Sequence, residues 1–90
     1  MNKYDIYKAA LDKWGVDLQI TMMVEECAEL IKAVTKFKRN PNESAGIDVL
    51  HELADVQIMV EQMRFIFADY GDPESFVLKK LERLANRVKN

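Results

Sequence analysis

Five acids stand in two short words of the sequence: Glu25, Glu26 and Glu29, and then Glu52 and Asp55. Glu26 with Glu29, and Glu52 with Asp55, are spaced three apart, so each pair puts two carboxylates on one face of a helix. Spacing alone decides little. Fifteen acids in ninety residues give about two such pairs by chance, and Asp69 with Asp72 makes a third here. Location decides more. With Glu25 at zero on a helical wheel, Met23, Val24, Cys27, Leu30, Ile31 and Val34 fill an apolar sector at roughly 140–260°. Glu29 then falls near about 40° and Glu26 near about 100°, with Met22 and Ala33 between them. On the other wheel, Met59, Met63 and Val56 all lie within about 40° of Glu52, and Asp55 is about 60° away.

A carboxylate against apolar neighbours is costly unless something compensates it, and four together also repel one another. A hard divalent cation compensates several carboxylates at once. Magnesium suits this donor set better than zinc, because the donors are all oxygen and His51 and Cys27 point elsewhere on their wheels. Salt bridges to Lys or Arg of neighbouring helices are the other compensation, and both stay open at this point. Glu25 sits further towards solvent than the other four.

The elements that must position these acids are helical. A first helix is read from about Lys3 to Lys13, with Ile6, Ala10 and Trp14 at helical spacing and Gly15 as its stop. Asp17 caps a second helix that continues to about Arg39. Asn40-Pro41-Asn42-Glu43-Ser44-Ala45-Gly46 breaks the pattern as a loop. A third helix runs from about Ile47 to Asp69 and ends at Gly71, and Asp72-Pro73 opens a fourth. Short connections make neighbouring helices antiparallel. The expected fold is therefore all-α, a single domain over residues 1–90, as a four-helix bundle-like unit. A chain of this length hides only about 60% of its unfolded surface, so completion by self-association is expected. No apolar run approaches the roughly 18 residues of a membrane span. The first residues lack the apolar stretch of a secretion signal, and a single Cys suits a reducing compartment, so a cytoplasmic location without membrane partners is expected.

Net charge is −2, unevenly spread. Residues 76–90 hold five Lys/Arg and one Glu, or +4, which leaves −6 on the first 75. On the last helix Lys79, Lys80, Arg83 and Arg87 form a stripe within about 100°, opposite Val77, Leu81, Leu84 and Val88. Such a stripe can hold a triphosphate tail or simply face solvent. One basic helix on an acidic body is a poor footprint for a duplex, so no nucleic-acid partner is expected.

Val24-Glu25-Glu26-Cys27-Ala28-Glu29-Leu30 followed by Glu52-Leu53-Ala54-Asp55-Val56 resembles the EExxE…ExxD signature of the MazG-like all-α nucleoside triphosphate pyrophosphohydrolases. The interval from Glu29 to Glu52 is similar to that family's spacing. Trp14-Gly15 and Gln19 upstream, and Lys80-Leu81-Glu82-Arg83-Leu84 downstream, resemble its short members, so the likeness spans roughly residues 4–88. It implies dimers or tetramers that cleave a nucleoside triphosphate between the α and β phosphates, giving a monophosphate and pyrophosphate. It further implies Glu26, Glu29, Glu52 and Asp55 as magnesium-binding positions, and Lys80 and Arg83 as the first cations to consider on the last helix.

For the proton acceptor of the attacking water, Glu29 is the first candidate and Glu25 the second, because both face the gap between helices obliquely. Gln19 lies seven residues before Glu26 on the same face, where its amide can meet a bound nucleotide. Trp14 can stack on a base or anchor the first helix to the core. Lys32 and Lys36 either pair with the acids or solvate the helix end, and His51 is read as a surface or interface residue rather than a ligand. Two other functions stay open. One is a non-catalytic helical oligomerisation module whose acids form salt bridges between subunits. The other is a phosphoribosyl-ATP pyrophosphohydrolase.

Overall fold

A computed structural model describes all residues, 1–90. It is helical, with no strand: α1 (Lys3–Arg39), α2 (Glu43–Ile66), a 3-10 turn (Ala68–Tyr70) and α3 (Glu74–Lys89). No helix is long and apolar enough to cross a membrane.

Each helix begins where a side chain can satisfy the free N–H groups of a first turn. At α1, Asn2 Oδ1 accepts from the Asp5 N–H at 2.9 Å and Asp5 Oδ2 accepts from the Asn2 N–H at 3.2 Å. At α2, Asn42 Oδ1 accepts from the Ala45 N–H at 2.8 Å, so the helix starts at Glu43 rather than near Ile47. At α3, Asp72 Oδ1 accepts from the Glu74 N–H at 3.0 Å, as the Asp-Pro pair suggests.

Gly15 does not end α1 in a loop. It carries φ 81° and ψ 166° inside the run Lys3–Arg39 and so kinks the helix into two stretches. Only glycine enters this backbone region cheaply, a side chain there costing about 1–3 kcal/mol. Space is not the constraint, since nothing lies within 4 Å of where a Cβ would stand. The expected boundary is thus real, but Asp17 sits within the helix instead of capping a new one.

α1 and α2 pack on one another as an antiparallel hairpin. At its open end the buried Tyr7 hydroxyl donates to Glu61, whose other oxygen takes Lys3 Nζ at 3.1 Å. At its closed end the Cβ position of Gly46 is 3.6 Å from the Phe37 ring. α3 packs on neither helix. Only its start is tied, through Arg64, which bridges Asp72 at 3.0 Å and Glu74 at 3.6 Å.

The core is a single seam in which Tyr7, Gln19, Ala45 and Met59 are the buried residues. The apolar sector read on the Glu25 wheel is only partly packed: Met23, Cys27 and Leu30 are half-buried, while Val24 is 63% and Ile31 67% exposed. On α3, Leu81 and Leu84 are each 54% exposed. Two packed helices bury one face each, and within one chain no further layer exists to cover the outer faces. A closed four-helix bundle therefore does not form inside a single protomer.

Candidate metal centre

The hairpin register sets Glu26 of α1 against the turn of α2 that carries Glu52 and Asp55. A carboxylate oxygen from each of the three lies within 4.8 Å of the other two. Glu26 and Glu52 are half-buried and Asp55 is exposed. Glu29, one helical turn past Glu26, lines a cavity together with Glu52, so it stands on the same side of the hairpin. Glu25 is exposed, as its wheel position predicts.

No Lys or Arg of the chain lies within ion-pairing distance of these acids. The ion pairs of the molecule are Lys3 with Glu61 and Arg64 with Asp72 and Glu74, and none reaches the four acids. Burial holds the Glu26 carboxyl above the usual carboxylate range, and the charges of Asp55, Glu52, Glu29 and Glu25 push it the same way. Burial and all four neighbouring charges disfavour the ionised form of Glu26, so the acids repel one another where they meet. Its donors are all oxygen, since neither His51 nor Cys27 joins the group, and this chemistry fits Mg²⁺. The salt-bridge alternative finds no partner within the protomer.

The remaining sequence candidates lie elsewhere. Gln19 is sealed inside the seam at 1% exposure. Its Nε2 donates to Met22 Sδ at 3.5 Å, while its Oε1 has no hydrogen-bond partner. So buried, its amide is not on the surface that a nucleotide meets. Trp14 is 46% exposed beside the Gly15 kink, with Lys13 Nζ 5.3 Å from its ring centroid. Lys80 and Arg83 are exposed on α3, which one chain does not bring to the acids.

Two cavities flank the cluster, and sequence reasoning named neither. One, of about 240 Å³, lies between Glu29, Lys32, Lys36, Asp48, His51 and Glu52. The other, of about 350 Å³, is walled by Met23, Met63, Phe67, Tyr70 and Phe76. The i, i+4 spacing of Lys32 and Lys36 was a readable signal for the first, and the aromatic crowd around Gly71-Asp72-Pro73 for the second. Compared with protein-family models, with curated proteins and with solved structures, the chain matches none.

Proposed function

We propose that this chain is a magnesium-dependent nucleoside triphosphate pyrophosphohydrolase of the MazG-like all-α kind, working in the cytoplasm as a homodimer or homotetramer. The observation that carries the reading is the meeting of Glu26, Glu52 and Asp55 oxygens from two helices, within 4.8 Å, with no Lys or Arg paired to them. The motif likeness of these same residues supports it.

Glu26, Glu29, Glu52 and Asp55 would hold the metal. When bound, Mg²⁺ supplies neutralisation of phosphate charge and a lower pKa for water. Chain residues do the rest. Glu29 is exposed and lies outside the closest oxygen trio, so its carboxylate keeps a free oxygen for the proton of the attacking water, with Glu25 as the second candidate. That water's oxygen bonds to the α phosphorus, the bond from this phosphorus to the α–β bridging oxygen breaks, and pyrophosphate leaves with the bridging oxygen.

Assembly supplies what one protomer lacks. The uncovered faces of α1, α2 and α3 need a partner, and a second copy completing a four-helix layer covers them. Such an assembly could also bring Lys80 and Arg83 to a triphosphate. The exposed apolar faces equally suit a non-catalytic oligomerisation module, and pyrophosphate release separates the two. Canonical and modified triphosphates, with phosphoribosyl-ATP beside them, are incubated in Mg²⁺ and pyrophosphate is measured. Turnover of a nucleoside triphosphate supports the proposal, turnover of phosphoribosyl-ATP alone replaces it, and complete inactivity favours the module. A Glu29→Gln enzyme that keeps full activity removes Glu29 from the proton-accepting role.

A further inference from the structure

We infer that the cavity between Glu29, Lys32, Lys36, His51 and Glu52 seats the pyrophosphate half of the substrate, so that the polyphosphate tail runs along α1 from the acids towards Lys36. The assignment rests on the reading of the acids as a metal centre for triphosphate hydrolysis. It names the binding site that this reading leaves unplaced within one protomer, where Lys80 and Arg83 stand apart on α3.

Four observations carry it. The cavity, about 240 Å³, directly adjoins the acid cluster and shares Glu52 with it, so a phosphate in it is next to the proposed reaction centre. Lys32 and Lys36 are one helical turn apart on one face, a like-charge pair that destabilises a helix unless an anion joins it. Neither ammonium lies within ion-pairing distance of a carboxylate, so neither is committed within the chain. Direction also fits. Helical side chains lean towards the N-terminus, so both lysine stems lean back towards Glu26 and Glu29. At a rise of 1.5 Å per residue, Lys32 and Lys36 lie about 4.5 Å and about 10 Å beyond Glu29 along the axis, a span that flexible stems close onto successive phosphates.

The other flanking cavity offers no such site. Its cation, Arg64, is held by Asp72 and Glu74, and its walls are mainly apolar. Acids in the lysine cavity do not defeat the assignment. Glu29 and Glu52 belong to the metal, which leaves Asp48 facing two lysines and an imidazole.

The test titrates the full chain with inorganic pyrophosphate in Mg²⁺, and separately with a nucleoside monophosphate, for the wild type, Lys32→Gln, Lys36→Gln and Lys38→Gln. Both lysines of the cavity are exposed, so these variants keep their fold, and circular dichroism checks it. Loss of one charge-assisted hydrogen bond predicts an affinity for pyrophosphate lower by about tenfold to a hundredfold in Lys32→Gln and Lys36→Gln. Monophosphate binding stays unchanged in them, and Lys38→Gln behaves as wild type. Wild-type affinity in both cavity variants overturns the assignment. So does an equal loss in Lys38→Gln, an equal loss for the monophosphate, or a wild type that binds no pyrophosphate. Hydrolysis measured in parallel reports on the functional reading by itself: a wild type that binds pyrophosphate through Lys32 and Lys36 but releases none keeps the site and removes the enzyme.

Discussion

Replacing Glu26 by Gln keeps the size of the side chain and removes its charge, so it reads the repulsion in the acid cluster directly. The oxygens of Glu26, Glu52 and Asp55 lie no more than 4.8 Å apart. Two unit charges at that distance repel by about 3.5 kcal/mol at an effective dielectric constant of ~20 and by about 0.9 kcal/mol in bulk water. Glu26 and Glu52 are half-buried and Asp55 is exposed, which places the pairs nearer the aqueous end, at about 1 kcal/mol each. Removing both pairs should stabilise the metal-free protein by about 1–2 kcal/mol. For a domain of this size each kcal/mol moves Tm by about 4–8 °C, so a rise of at least roughly 4 °C is expected. Magnesium should separate the two proteins by the size of its effect. At a hundred times its Kd it adds about 2.7 kcal/mol to the wild type, and it should add little to Glu26→Gln. Thermal unfolding at one protein concentration, with EDTA and then with Mg²⁺, gives all four values. A metal-free variant destabilised by several kcal/mol would refute the reasoning, because it would mean that Glu26 had left a buried cation without its partner.

Three further outcomes follow from single residues. Tyr7→Phe removes the hydroxyl that donates to Glu61 and should cost about 1 kcal/mol at neutral pH. In the wild type that hydrogen bond, burial and the Glu61 charge push the phenol from 10.0 up to about 12. The folded state therefore binds the phenolic proton more tightly than the unfolded state. The resulting stability is complete below about pH 10 and declines as pH rises towards about 12. Urea unfolding from pH 8 to pH 11.5 should show this decline in the wild type and lack it in Tyr7→Phe, and identical slopes would contradict it. Gln19→Met replaces a buried amide whose Oε1 has no partner, and it should leave thermal stability unchanged or raise it by up to about 3 kcal/mol. A clear loss would show that the carbonyl has a partner that one chain does not contain. Leu84→Glu puts a charge on the uncovered stripe of α3 and should shift the protein to monomer in sedimentation with loss of turnover, whereas an unchanged assembly would place the interface elsewhere.

Much of the helical pattern was legible because its punctuation is local. Gly15, Asn40-Pro41 and Gly71 each mark a real change in the backbone, and Asp72 caps α3 as the Asp-Pro pair suggests. The start of α2 was misplaced because Asn42, Ser44 and Gly46 are all loop-formers by type. Only the Asn42 hydrogen bond to Ala45 turns that segment into a first helical turn. The end of α2 was read three residues late, since Phe67, Ala68, Asp69 and Tyr70 carry no breaker, yet the chain tightens there into a 3-10 turn.

The candidate site was legible to the extent that it depends on one helical period. Wheel angles put Glu26, Glu52 and Asp55 at the edges of apolar stripes, and those three meet. Which stripe faces the partner helix was not legible. A wheel reports that a helix has an apolar side but not which layer covers it. In one chain Val24 and Ile31 are open, while Glu26 and Glu52 are half-buried beside the seam. Gln19 shows the same limit: a wheel places it on a face, but the burial that closes it off comes from packing against the partner helix.

Anomalous diffraction from crystals grown with Mn²⁺ as a stand-in for Mg²⁺ tests most directly whether the four carboxylates hold one or more divalent ions. The prediction is a metal peak at about 2.0–2.2 Å from oxygens of Glu26, Glu52 and Asp55, with Glu29 coordinating or one water away. A Lys or Arg side chain from a second copy lodged among these oxygens, with no metal peak beside them, would contradict it.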